Sequence, residues 1–150
     1  MAKNQPTTSA GDKMPPQNLQ AESSLLGSLM LDKDAIIKVA DAVHGDDFYA
    51  TKNRLIYEAI VSLYEKREPL DVVTLSNKLD AMGELENIGG ATYLTSLVNG
   101  VPSAAHVVNY AKIVSQKATL RRLITAANQI GNMAYDEEQP LDGLLDNAEQ

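Results

Sequence analysis

The chain has 150 residues and a formal net charge of −7, which is enough for one ordinary domain with a real core and the wrong sign for a segment whose own task is to grip a phosphate backbone. It contains no cysteine, which excludes disulfides, thiolate nucleophiles and cysteine-ligated zinc together, and no apolar run approaches the roughly 20 residues that span a bilayer. Aromatic residues make up 5% of the chain against 44% apolar, so the core must be built from Leu, Ile, Val, Ala and Met, a composition that suits helices packed on helices.

In chain order, residues 1–14 are polar and rich in turn formers. They read as a disordered tail without the apolar stretch of a signal peptide, and the default is a cytoplasmic protein. After Pro15-Pro16, Leu25, Leu26, Leu29 and Met30 fall on one face of a first helix. Ile36, Ile37 and Ala40 mark a second helix, with Gly45 as its left-handed stop. The cleanest apolar stripe is Leu55, Ile56, Ala59, Ile60, Leu63 and Tyr64, ended by the charged run Glu65 to Glu68 and by Pro69. Asp71 is placed to cap a fourth helix that carries Val72, Leu75 and Leu79 inward and stops at Gly83. Gly89-Gly90 reads as a turn that starts a fifth, short helix on Tyr93, Leu94 and Leu97. Residues 15–100 thus form a globular head of five short helices, with no alternating strand pattern.

From Ser103, an expected N-cap, to about Tyr135 there is no proline. Tyr110, Ile113, Lys117, Leu120, Ile124, Ala127 and Ile130 or Gly131 recur at three- and four-residue steps. A helix of that length reaches ~50 Å, whereas a globule of about 85 residues has a radius of gyration near ~12 Å. The head cannot cover all of it. Residues 136–140 make a polar turn, and Leu141 onward begins a seventh amphipathic helix. The expected architecture is all-α: the head, then an antiparallel helical hairpin over residues 101–150 whose second helix is cut short. A half-covered hairpin is an association device.

Residues that could carry chemistry are few. No G-x-x-x-x-G-K-[ST] phosphate loop is present. His44 and His106 are far apart and sit at helix ends, so capping accounts for them better than metal binding does. Asp46-Asp47 reads as turn chemistry ahead of a helix, with a divalent-cation pair as the alternative. Tyr57, Tyr64 and Tyr93 read as core or core-edge aromatics. Lys112, Lys117, Arg121 and Arg122 gather positive charge on the long helix. A solvated face whose alkyl stems cover apolar neighbours, a contact with an acidic protein, and a contact with nucleic acid all account for that charge. No catalytic, cofactor-binding or metal-binding residue is assigned.

The series of segments, taken in order, resembles a known family. Ala21-Glu22 through Leu26-Gly27, Asp47-Phe48-Tyr49, Asp71 to Thr74, Gly89-Gly90 with Tyr93-Leu94, Val101-Pro102-Ser103-Ala104-Ala105, Tyr110-Ala111, and Leu145-Asp146 with Ala148-Glu149 are together similar to the N-terminal domain of bacterial replicative DNA helicases of the DnaB type. The likeness runs from about Pro15 to the last residue. One departure is Asn53, where the family often carries a histidine, and it is expected to bear on local turn chemistry only. The resemblance implies a ring-shaped hexameric ATPase that moves 5′ to 3′ on single-stranded DNA. ATP and magnesium would belong to a motor domain beyond residue 150, with no cofactor in this segment. It further implies an N-terminal collar, a trimer of dimers with paired hairpins, which recruits primase, with a helicase loader as a further candidate partner. Single-stranded DNA would be held by the parent protein rather than by this domain, and no membrane is involved. On this reading the dimer contact comprises Tyr110, Ile113, Lys117, Leu120, Ile124 and Ala127, with Arg121 and Arg122 at its rim. The alternative is a stand-alone helical adaptor, such as the helicase-binding part of a primase or a helicase loader.

Overall fold

Helix α1, Leu19–Leu31, runs through the middle of the head. Asn18 starts it, its side-chain oxygen accepting the Ala21 N–H at 2.9 Å. The expected face of Leu25, Leu26, Leu29 and Met30 is buried, but so are Ala21, Glu22, Gly27 and Ser28. A helix buried on most of its circumference needs partners on several sides, and α1 packs against α3, α5 and α6. The computed structural model describes residues 13–137 and 140–149. Nearly all of the expected N-terminal tail, and part of the turn expected at 136–140, lie outside them.

The other elements follow in order: α2, Ile36–Val39; a 3₁₀ turn, Gly45–Asp47; α3, Thr51–Glu65; α4, Val72–Ala81; α5, Gly90–Asn99; α6, Val107–Tyr135; and α7, Leu141–Glu149, which folds back on α6. Among the described residues there is no strand, and the expected all-α architecture is borne out.

Local capping chemistry sits where the residue types require it. Asp71 and Thr74 form a reciprocal capping box at the start of α4. The Asp71 carboxylate accepts the Thr74 N–H at 2.8 Å and the Thr74 hydroxyl at 2.6 Å, and these bonds hold its pKa below the ordinary aspartate range. Gly83 and Gly89 take left-handed φ values of 73° and 102°, which only glycine adopts without strain.

Three local expectations are corrected. Gly45 is not a left-handed stop: it opens the 3₁₀ turn, and its missing side chain makes room for Glu58 of α3, whose Oε1 would lie 2.7 Å from an added Cβ. Ser103 does not cap the long helix. Its hydroxyl accepts the Ala105 N–H at 3.3 Å in a turn ahead of the helix, and α6 begins at Val107 with His106 in the cap position. Tyr64 is exposed: Leu63 beside it still faces the core, and Tyr64 lies about 100° round the helix from it.

Tyr57 is buried beside Phe48, ring centroids 5.0 Å apart, and its hydroxyl donates to the Val43 carbonyl at 2.7 Å. Burial first, and the Asp47 carboxylate second, push this phenol up to about 12 from 10.0. The folded protein therefore keeps a proton that the unfolded chain loses between those values. The stabilisation is complete below pH about 10 and lost as pH rises toward 12, a contribution on the order of 2 kcal/mol. Urea melts across that range should show stability falling with pH. Tyr57→Phe should flatten the dependence; an unchanged slope would refute the assignment.

Candidate association surface on the long helix

Helix α6 has two apolar sides, and the head uses one of them. Val107, Ala111, Val114 and Ala118 are buried against the head, at steps of four, three and four residues. Continuing the same line, Arg121 and Arg122 come next, and beyond them Thr125, Gln129 and Asn132, these three all exposed. Thr125 lies about five turns beyond Val107, so it points the same way. The side that meets the head turns polar where the head ends.

The second side does not turn polar. Of the residues expected to form the contact stripe, Tyr110 and Ile113 are half-buried against the edge of the core, and Lys117 is half-buried. Leu120 and Ile124 remain 44% and 48% exposed, and Ala127 is exposed as well. Leu123, at 65%, and Ile130, at 44%, widen the apolar surface, and Leu141 and Leu145 of α7 are exposed as well. Adjacent exposed apolar side chains over several turns of one helix mark a surface that something covers.

Arg121 and Arg122 flank the line that meets the head, and both bond to the head. Arg121 donates from one guanidinium nitrogen to the Pro16 carbonyl at 2.8 Å and from another to the Asp47 carbonyl at 2.7 Å, with its guanidinium carbon 5.6 Å from the Tyr49 ring. Arg122 pairs with Asp47 Oδ1. Asp47 is 3% exposed, and its other oxygen accepts the His44 N–H at 2.9 Å. The Asp46-Asp47 pair is thus turn chemistry, as expected, with Asp47 also anchoring α6. His44 Nδ1 lies 4.0 Å from Asp47 Oδ2, and His106 meets Tyr110 edge-on at 6.4 Å between centroids. Among the described residues no group of three or more His, Cys, Asp or Glu is arranged to hold a metal.

A polar network escaped the reading of the sequence. Glu22 is buried in the first turn of α1. Its carboxylate accepts the Tyr49 N–H at 2.8 Å, the Ala50 N–H at 3.3 Å and the Asn53 Nδ2–H at 3.0 Å. Asn53 Oδ1 then accepts the Tyr93 hydroxyl at 2.7 Å. Glu22 so provides the anion at the start of α3, where residue 50 brings no side-chain cap. Asn53 joins α1, α3 and α5, which corrects its expected role in local turn chemistry. The available signal was a carboxylate at a position otherwise inside an apolar helix.

The arrangement has close counterparts. The sequence profile of the DnaB-like helicase N terminal domain matches residues 14–116. The chain belongs to that family. The replicative DNA helicase DnaB of Leifsonia xyli subsp. xyli (strain CTCB07) is 45% identical over 138 residues, 92% of this chain and 30% of that protein. The crystal structure of the N-terminal domain of DnaB helicase from Mycobacterium tuberculosis superposes with a TM-score of 0.87 at 42% identity, over 91% of this chain and 96% of that one. The N-terminal domain of DnaB helicase from Helicobacter pylori, solved in a study of its interactions with primase, shares the fold with a TM-score of 0.65 at 21% identity, over 77% of this chain and 90% of that one. The chain spans under a third of the length of the curated relatives it matches. Membership in the DnaB-like family agrees with the resemblance carried by the ordered motifs.

Proposed function

We propose that this domain is the N-terminal assembly and docking module of a hexameric, ATP-dependent replicative DNA helicase, non-catalytic by itself. It pairs with a second copy through the hairpin and recruits primase. The chain divides into a head over 15–100 and a hairpin over 101–150, with the first turns of α6 serving both. The observation that carries the pairing is the divergence of the two sides of α6: Thr125, Gln129 and Asn132 replace the apolar line where the head ends, while Leu120, Ile124 and Ala127 continue the other line in the open. A water-facing helix has no use for the second line. Tyr110, Ile113 and Lys117 form its head-side margin.

In the full protein such pairs would build a collar. ATP and magnesium would serve a motor domain outside this chain, and single-stranded DNA would be held there. Primase as a partner is supported by the Helicobacter pylori domain of the same fold, whose interactions with primase were studied. A helicase loader is a second candidate partner, and the cytoplasm is the setting such a role requires. Among the described residues no helix is long and apolar enough to cross a membrane.

Sedimentation equilibrium tests the pairing. Each leucine or isoleucine fully withdrawn from water contributes about 1.5–3 kcal/mol, so Leu120→Asp with Ile124→Asp should weaken self-association at least about tenfold and leave the head's helical signal intact. A chain that is monomeric at high micromolar concentration, and unaffected by the substitutions, would remove the hairpin contact. A stand-alone adaptor is the second reading, and it predicts the same helical head. The genomic sequence after residue 150 separates the two: a phosphate loop there supports the helicase, and a stop codon the adaptor.

A further inference from the structure

Helix α6 leaves the head at Arg121 and Arg122. Ala118 is its last fully buried residue, and α7 is the element packed on it beyond that point. The side chains that seat α6 most deeply upstream are small, Val107, Ala111, Val114 and Ala118, while the larger Tyr110 and Ile113 reach only the edge of the core. Such shallow contacts define where the helix lies better than the angle at which it departs. The polar contacts at the exit have the opposite character. Arg121 bridges two carbonyls from separate segments, Pro16 ahead of α1 and Asp47 ahead of α3, and a planar guanidinium fork fixes direction as well as distance. Arg122 takes one oxygen of the buried Asp47 carboxylate while the backbone of His44 takes the other.

We propose that Asp47, Arg121 and Arg122 form a clamp that sets the angle between hairpin and head, which makes the two arginines positioning residues for the exposed stripe. The angle belongs to a single chain; its consequence for pairing rests on the assembly reading above. From Arg122 to Tyr135 the helix extends about 20 Å, so a tilt of about 10° at the clamp displaces its far end by ~3–4 Å. That is a large fraction of the 8–10 Å spacing of packed helices, enough to take two hairpins out of register.

The chain has no cysteine, so labels at Lys66→Cys and Gln129→Cys, both exposed positions, report one head-to-hairpin distance. Pulsed electron spin resonance on labelled chain diluted into unlabelled chain keeps the measurement within one molecule. The parent should give a single narrow distribution. Arg121→Gln with Arg122→Gln should broaden it or move its centre by several ångströms, with the melting of the head little changed. Asp47→Asn, which retains the shape of the side chain, should act in the same direction to a smaller degree. Arg122→Lys alone, which keeps a charge opposite Asp47, should stay near the parent. An unaltered distribution in the folded double variant overturns the clamp. So does loss of the head's own fold in that variant, which would make the arginines part of the core and not a positioning device.

Discussion

Gly27→Ala is expected to destabilise the head by about 3 kcal/mol or more, near the top of the range for overpacking. Gly27 lies in α1 where α5 crosses it. A Cβ there would sit 2.2 Å from the Leu97 carbonyl oxygen and 3.0 Å from the Val101 side chain. The first of these is backbone, so relief requires α1 and α5 to separate, and Leu26 and Leu94 beside the crossing would lose contacts made in a fully buried core. Intrinsic propensity acts the other way: alanine in a helix interior is favoured over glycine by about 1 kcal/mol. The steric effect exceeds that gain. Thermal melts should show a fall on the order of 10 °C for a chain of this size. Gly131→Ala is the control, since nothing lies within 4 Å of its added Cβ; there the propensity acts alone and α6 should gain helicity. Equal melting of Gly27→Ala and parent would mean that the crossing is not tight.

Glu22→Ala is expected to cost about 3–4 kcal/mol through a different mechanism. The substitution removes one acceptor group and strands three buried or half-buried donors: the Tyr49 and Ala50 N–H groups and the Asn53 amide. Hydrogen bonds to a charged group are worth about 1.5–3 kcal/mol, and each donor left unpaired adds its own desolvation cost. The anion at the first turn of α3 is lost as well. Glu22→Gln should fall between parent and alanine, because it keeps one oxygen but turns an amide N–H₂ toward other donors. Hydrogen exchange offers a local readout. The Tyr49 and Ala50 amides should lose protection in the alanine variant before the middle of α3 does. A variant that melts within about 1 kcal/mol of the parent would show that water replaces the carboxylate without penalty.

Both predictions concern contacts that periodicity does not report, which explains what was readable in advance. The five head helices and the long helix were legible because their signals are local. Asp71 with Thr74, Gly83, and the Gly89-Gly90 turn all act within three or four residues of themselves, so residue type and position suffice. The apolar stripe of α3 and the two leucines of α4 were legible for the same reason: a helix brings neighbours three and four apart onto one face wherever it packs. The misreadings at Gly45 and Ser103, two of the three local ones, arose where a distant or neighbouring segment overrode the residue's usual preference, Glu58 of α3 in the first case and the turn at residues 104–106 in the second.

The candidate surface divides in the same way. The sequence by itself determined that α6 is long, that it carries an apolar stripe at three- and four-residue steps, and that a head of this size cannot cover its length, since helix rise and globule radius follow from residue number alone. Only the tertiary structure decided which line the head takes, because that choice depends on where α1 and α2 present their own apolar faces. It also decided that Arg121 and Arg122 turn inward to partners 74 to 105 residues away, and that Glu22 and Asn53 meet across 31. Charges at such separations become neighbours through packing, and no pattern along the chain encodes the distance between them.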